Sequence, residues 1–305
     1  MNGYKKIIKS QSLRNQILRM LCFVPDKTML KLQYWIKTGR RLNLKKPQRF
    51  TEKLQWYKLY YKEPLMVQCV DKYDVRSYVE GKGLGHILNE CYGVYDAVEE
   101  IDFDKLPNQF VLKDTLGGGG TTVILVEDKA SADIEQIKQT LQSWISKNHR
   151  VRDGGREWPY YSGKKHRIIV EKYLTQPDGD LPDYKFFCFN GKVHYLYLMC
   201  NYRANHAEGR LGFLDAEFNL LPACRSDFAP FEEQPAKPEN FEEMVQMAEK
   251  LSQDFPHVRV DFYNLDGKIV FGELTFTTAS GYIPFKPDSF DFVMGEKFVL
   301  PEKKV

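Results

Sequence analysis

The sequence predicts an α+β protein, antiparallel hairpins with helices packed on them, and three observations carry that expectation. From Phe110 onward the chain is dominated by alternating and β-branched runs, the period-two pattern of half-buried strands. Two of these runs fold back through short turns, "NGK" at 190–192 and "LDGK" at 265–268, sequences suited to tight hairpins. Between the strands, residues 132–147 and 239–253 read as helices, the second with Phe241, Met244, Met247, Ala248 and Leu251 at helical spacing.

In chain order, Ile7, Ile8, Ile17, Leu18 and Leu21 fall loosely on one helical face, and residues 29–36 form a second helical segment stopped by Gly39. After Pro47, Thr51 is placed to cap a helix through "EKLQWYKLYYK", which Pro64 ends. The stretch "VDKYDVRSYVEGKG" reads as a helix opening at Asp71 and closing at Gly81 and Gly83. The strand runs then follow: "FVLK", "TTVILV", "HRIIVEKYL", "DYKFFCFNGKVHYLYLMCNYR", "RLGFLD" and "VRVDFYNLDGKIVFGELTF". Neither an internal repeat nor a low-complexity tract interrupts them.

Composition narrows the class of protein. With 305 residues, 43% hydrophobic and 28% charged, the chain has the make-up of an ordinary soluble protein of one large domain or two modest ones. Apolar runs are too short to span a bilayer, and the first residues mix basic and polar side chains through their apolar positions, unlike a secretory leader. The six cysteines (Cys22, Cys69, Cys91, Cys188, Cys200, Cys224) are scattered without a CxxC pair, which suggests reduced thiols and a cytoplasmic address. Charge is unevenly spread. Residues 1–50 hold thirteen Lys and Arg against Asp26 alone, so that segment carries +12 and, with +3 for the whole chain, the remainder −9. A basic arm on an acidic body predicts an anionic partner, a membrane leaflet or polyanionic glycan ahead of nucleic acid, whose aromatic-rich signatures are missing.

The run "FVLKDTLGGGGTTVILVEDK", residues 110–129, poses the functional question. Glycine is costly to order, yet a backbone without β-carbons can lie close against phosphates; the same run also suits a plain hairpin tip. A Walker-type loop requires GxxxxGK[ST] followed by a helix, whereas a strand follows here. A dinucleotide fingerprint fails for the same reason. Protein kinases fold a glycine flap over their nucleotide, but no HRD or DFG follows. Histidine and serine contexts such as HExxH and GxSxG are also missing.

Four features in order, Lys72 in "VDKYDVRSYV", Lys113 in "FVLK", Gly117 to Gly120, and "VEKYL" at 170–174, resemble biotin carboxylase and its ATP-grasp relatives. Farther on, "RVDFYNLDGKIVFGELTF" resembles the strand–turn–strand that carries magnesium carboxylates in ATP-grasp ligases. The fold implied is ATP-grasp, two α+β subdomains clasping ATP, with a basic helical extension: residues 1–64 the extension, 65–174 the subdomain with the flap, and 175–305 the subdomain with the metal site. The resemblance assigns ATP to Lys72, Lys113, Gly117, Gly118, Gly119, Gly120, Glu171, Lys172, Tyr173, Leu174 and Lys185, with the hinge from Glu171 to Leu174 on the adenine edge. It assigns Mg2+ to Asp261, Glu273 and Thr275, where relatives usually carry Asn at the last position. Arg259 matches an arginine of D-alanine ligase-like members that stabilises the transferring phosphoryl or the acyl phosphate.

Within the superfamily, "FTEKLQWYKLYY", "LPNQFVLK", "DYKFFCFNGK" and "RVDFYNLDGKIVFGELTFTTASG" resemble the TupA-like ATP-grasp proteins, found among bacterial capsule and cell-wall polysaccharide genes. That resemblance implies an ATP-dependent carboxylate–amine ligase working through an acyl phosphate. Its expected carboxylate is a uronic acid on a surface glycan or lipid-linked precursor, and its acceptor an amino acid or small amine. Arg259, Lys185 and Arg203 are the expected catalytic side chains, with Arg203 and Arg210 as candidate carboxylate clamps. The alternatives are a glycosyltransferase, suggested by "DGD" at 178–180, and a non-catalytic nucleotide or glycan binder. The basic arm adds an expected contact with the inner leaflet.

Overall fold

Positive-φ pairs at Asn190 (50°) and Gly191 (75°), and at Asp266 (47°) and Gly267 (88°), turn the chain back in two tight hairpins, as the "NGK" and "LDGK" sequences require. The structure, a computed structural model, describes residues 17, 18, 20–118, 120–147, 152, 154–176, 179–200 and 209–304. Its principal elements are α1 (Asp26–Thr38), α2 (Phe50–Tyr60), α3 (Pro64–Val70), α4 (Val75–Gly81), β1 (Cys91–Tyr95), β2 (Phe110–Asp114), β3 (Val123–Val126) and α5 (Ile134–Ile145). They continue with β4 (Ile168–Lys172), β5 (Asp183–Phe189), β6 (Lys192–Cys200), β7 (Arg210–Asp215), β8 (Cys224–Arg225), α6 (Phe241–Ser252), β9 (His257–Leu265), β10 (Lys268–Thr275), β11 (Phe285–Lys286) and α7 (Phe290–Lys297).

The chain divides into two compact units. One comprises Met1–Glu63, Val151–Trp158 and Gln176–Val305, the other Pro64–Arg150 and Pro159–Thr175. In the first, five antiparallel strands run in the order β10-β9-β5-β6-β7. Alternation along β5 and β9 sends Phe186, Val260 and Phe262 to one face of the sheet. There Phe241 of α6 stacks near Phe186, with ring centroids 5.9 Å apart, and Met244, Ala248 and Leu251 are buried with it. The opposite face packs Phe187 and Phe189 against Phe50 of α2 and Phe298, edge-on or tilted. Thus α2 seals one end of this face, and the charged residues of β5 and β9 occupy the rest.

One local expectation needs correction in this unit. Thr51 does not cap α2: the helix starts at Phe50, and Glu52 supplies the capping by accepting from the Gln48 and Arg49 amides at 3.0 and 3.3 Å. The Thr51 hydroxyl instead reaches Asp291 Oδ2 at 2.7 Å, on the far-off helix α7, a partner that local sequence cannot reveal. Gly39 behaves as expected, closing α1 in the left-handed region at φ 74°. Ile7 and Ile8 lie outside the described residues.

The second unit is built on a four-stranded antiparallel sheet, β1-β4-β2-β3. Phe110, Leu112, Val126, Ile168 and Val170 from the sheet and Leu141 and Trp144 from α5 form its core. Pro64 opens α3, as suits the first helical position, besides following the end of α2. Asp71 then breaks the helix expected there: its carboxylate accepts from the Tyr73 and Asp74 amides at 2.9 Å each, and α4 begins only at Val75. All six cysteines are unbridged. Among the described residues no helix is long and apolar enough to cross a membrane.

Candidate active site

Four side chains of the first unit line up across its sheet. Glu273 of β10 is opposite Asp261 of β9, Asp261 is opposite Lys185 of β5, and Lys185 is opposite Tyr197 of β6. A β-bulge sets this row. From the turn out to Phe271, the β9–β10 ladder pairs one residue with one, but between Phe271 and Glu273 the register shifts, leaving Gly272 as the extra residue. Without that shift Glu273 would face Val260 and project to the opposite side of the sheet. Gly272 fits because its backbone lies tight against β9; a β-carbon there would meet the Asp261 carbonyl oxygen at 3.0 Å.

Arg259, two residues before Asp261 on the same strand face, ties the row together. Its Nε and Nη2 donate to the two Asp261 carboxylate oxygens at 2.7 and 2.6 Å, a bidentate fork. Nη2 also reaches Glu273 Oε1 at 2.9 Å and Thr275 Oγ1 at 3.0 Å. Nη1 donates to the Tyr197 hydroxyl at 3.2 Å. Lys185 Nζ lies 2.7 Å from Asp261 Oδ2 and 2.5 Å from Asp183 Oδ2. Burial works against the charges of Arg259 and Lys185, yet the surrounding acids hold both pKa values well above their ordinary range. Asp183 shows the opposite tendency. Burial, reinforced by the Asp261 charge, pushes its pKa up to about 6 in spite of Lys185. The pair is asymmetric for a geometric reason: Lys185 reaches two acids, whereas Asp183 Oδ1 is buried with no hydrogen-bond partner among the described residues.

The same oxygens fit a divalent cation. Asp261 Oδ2 and Glu273 Oε1 both lie within 3 Å of one nitrogen, Arg259 Nη2, so one cation can bridge them. The Thr275 hydroxyl donates to Glu273 Oε1 at 2.8 Å and adds a third oxygen. Two carboxylates and a hydroxyl are hard donors of the kind Mg2+ takes from protein. Among the described residues no group of three or more His, Cys, Asp and Glu side chains gathers as a metal cage, and a cation here would share its acids with Arg259.

In the second unit, β2 and β4 present Lys113 and Glu171, whose side chains meet at 2.7 Å. Arg76 approaches the other Glu171 oxygen at 3.9 Å. The Lys72 amide donates to the Thr115 carbonyl at 2.9 Å, and its ammonium donates to the Gly117 carbonyl. These contacts put Lys72 at the base of the glycine run. A β-carbon at Gly117 would collide with the Thr122 side chain across the hairpin, and Gly120 sits at φ +70°, while Gly118 has open space around it. Gly119 is outside the described residues. Below the run, the buried Asp114 is held by His166 Nδ1 at 2.8 Å and Lys147 Nζ at 3.0 Å. Burial alone would raise its pKa; His166 and Lys147 keep it below the usual carboxylate range.

The expected site residues therefore fall into groups. Arg259, Asp261, Glu273, Thr275 and Lys185 converge, as do Lys113 with Glu171 and Lys72 with Gly117. Lys172 projects from the strand face opposite Glu171 and pairs with Glu90 at 3.2 Å; the Tyr173 hydroxyl donates to Glu127 at 2.7 Å, and Leu174 is half-buried. Arg203 and Asp178 lie outside the described residues. Arg210 donates to Glu232 at 2.9 Å and to the Pro230 carbonyl at 3.1 Å. Three contributors escaped the sequence reading: Asp183, Tyr197 and Arg76. Asp183 could have been found, since it sits two residues before Lys185 and so on its face; the other two depend on contacts distant in sequence.

Two antiparallel sheets, one with a glycine hairpin above a strand lysine and one with a carboxylate pair astride a tight turn, define an ATP-grasp protein. The TupA-like ATPgrasp family matches residues 52–299, most of the chain, and the protein belongs to that family. No curated protein matches. Among solved structures, the D-alanine–D-alanine ligase of Bacillus anthracis is similar at 17% identity and a TM-score of 0.44, covering 76% of this chain and 67% of that one. That of Helicobacter pylori is similar at 17% identity and 0.45, covering 81% and 67%. An N5-carboxyaminoimidazole synthetase from Staphylococcus aureus, complexed with ADP, is similar at 12% identity and 0.39, covering 68% and 44%. The chain thus spans between under half and two thirds of these proteins' lengths.

Proposed function

We propose that the protein is an ATP-dependent carboxylate–amine ligase. The observation that carries this reading is the convergence of Arg259, Asp261, Glu273, Thr275 and Lys185 on one sheet face. The substrate carboxylate attacks the γ-phosphorus of ATP, giving an acyl phosphate and ADP. The amine then adds to the acyl carbon, and phosphate leaves as the amide forms. Both steps move negative charge onto oxygens already facing cations, so positioning and electrostatic stabilisation supply the acceleration. Arg259 stabilises the transferring phosphoryl group; Lys185 compensates the buried acids and keeps the row in register. Mg2+, held by Asp261 and Glu273 with Thr275, would neutralise phosphate charge.

The second unit is assigned the grip on ATP. Lys113 and Lys72 would meet the phosphates, the glycine run would cover them, and the segment from Glu171 through Leu174 would serve the adenine. The assignment draws support from the shared chemistry of those side chains, two lysines on strand and turn beside an unusually bare backbone.

The substrate carboxylate proposed is a uronic acid of a bacterial surface polysaccharide or its precursor, and the acceptor an amino acid or small amine. The family's association with polysaccharide genes and the +12 charge of residues 1–50 favour a polyanionic substrate. The test is to incubate the full chain with ATP, Mg2+, a uronate glycan and a pool of amino acids and to follow ADP. Release that depends on both glycan and amine is expected. A nucleoside diphosphate released from a sugar nucleotide, without need of ATP, would identify a glycosyltransferase instead.

A further inference from the structure

Helix α1 is apolar on two sides. Met29, Leu30 and Tyr34 are buried, with Leu30 and Tyr34 packed alongside Leu42, Leu44, Leu59 and Tyr282. The other side leaves Trp35 58%, Leu32 44% and Ile36 40% exposed. These three form one patch, because Ile36 and Trp35 follow Leu32 by four and three residues and flank it on either side of the helical wheel. Met20 and Phe23, 74% and 77% exposed, precede the helix. Single exposed apolar residues need no explanation, but a contiguous patch marks an interaction surface.

Charge decides what covers it. Lys27 and Lys31 stand two turns and one turn before Trp35 on the same row, and both are exposed, as are Arg41, Lys45 and Lys46 in the following loop. Asp26, the only acid in residues 1–50, is turned to Arg156 at 3.0 Å and Arg152 at 3.5 Å. We infer that the outward face of α1 docks on an anionic lipid surface, with Trp35, Leu32 and Ile36 entering the headgroup region and the lysines meeting lipid phosphates and carboxylates. An indole, two aliphatic side chains and flanking lysines are the components of an interfacial helix. A second copy docked through the same face would bring like charges together. The chain's own first sixteen residues contain Lys5, Lys6, Lys9 and Arg14 and no acid, so they too are repelled. A nucleic-acid backbone offers nothing to bury aliphatic groups against.

The test is co-sedimentation of the full chain with phosphatidylcholine vesicles, with and without phosphatidylserine. Binding is expected to the anionic vesicles, weakening as salt rises, and at least about tenfold poorer binding to the neutral ones. Two double variants separate the contributions. Lys27→Gln with Lys31→Gln should lower binding by about tenfold or more, and Leu32→Gln with Ile36→Gln should lower it at unchanged charge. All four side chains are exposed, so melting temperature should stay at the parent value. Absent binding, equal binding to neutral vesicles, or variants that bind like the parent would overturn the inference. So would a dimer in sedimentation equilibrium that Trp35→Glu disperses, which would make a second copy the occupant.

Discussion

Lys185 and Lys113 both ride on inner strands of antiparallel sheets, and both reach an acid at 2.7 Å, yet they live in different surroundings. Around Lys185 the acid Asp261 is 2% exposed in its side chain and Arg259 7%; Asp261 is shared with Arg259, and the whole row is held by strand pairing. Lys113 is 26% exposed and pairs with Glu171, which Arg76 approaches at longer range. A buried, interlinked set of charges is preorganised and resists rearrangement. A partly solvated pair can exchange its partner for a ligand at small cost. Under the proposed function, the comparison implies a division of labour: chemistry on the sheet that cannot relax, nucleotide capture where side chains can.

The largest effect that would break this contrast is on turnover. Arg259→Ala and, separately, Glu273→Gln should each lower ADP release by about 10²–10³-fold or more, with Glu273→Gln keeping the parent circular dichroism. Undiminished turnover in either variant would remove the row from the chemistry. Next comes stability. Lys185→Met strands Asp183 in the interior and leaves Asp261 to Arg259 alone, and should cost about 3–5 kcal/mol, whereas Lys113→Met should cost about 1 kcal/mol or less while raising the KM for ATP. Denaturant unfolding of the two variants side by side measures the difference, and equal losses would erase the distinction between the units. A subtler change is Gly272→Ala, whose new methyl presses on β9; a fall of about tenfold in turnover is expected, without loss of the sheet.

The smallest effect concerns pH. Burial drives the His257 pKa down from 6.5 to about 3, with Cys188's carbonyl accepting from Nδ1 at 2.9 Å. The unfolded chain therefore binds the proton that the folded chain refuses. Stability from this residue is complete above pH 6.5 and is lost as pH falls toward 3. Among the described residues His257 Nε2 is buried without a hydrogen-bond partner, and its ring lies among Phe50, Phe187, Phe189 and Phe298. His257→Phe should flatten the acid limb of a melting-temperature profile between pH 4 and 6.5; an unchanged slope would place the acid sensitivity elsewhere.

What was legible in the sequence was what local chemistry dictates. Asn190–Gly191 and Asp266–Gly267 announce their turns because only such residues take positive φ cheaply, and strands of alternating aromatics announce their faces. The Arg259 and Asp261 pairing follows from a spacing of two along a strand. What stayed hidden depends on distant partners. "CYGVY" is too short and too glycine-broken to declare itself as β1, and α7 carries Gly295 within eight residues. Thr51 has the chemistry of a cap and the position of one, but Asp291 claims its hydroxyl. Tyr197 joins the charged row only through the pairing of β5 with β6, whereas Asp183 was within reach of the same spacing-of-two argument as Arg259.

Counting outward from the Asp266–Gly267 turn pairs each residue of β10 correctly as far as Phe271 and wrongly beyond it. Any transfer of roles from a relative whose hairpin is one residue shorter must therefore open a gap at Gly272. An ungapped overlay would name Gly272 as the partner of Asp261 and consign Glu273 to the hydrophobic layer opposite Val260, erasing the acidic pair on paper.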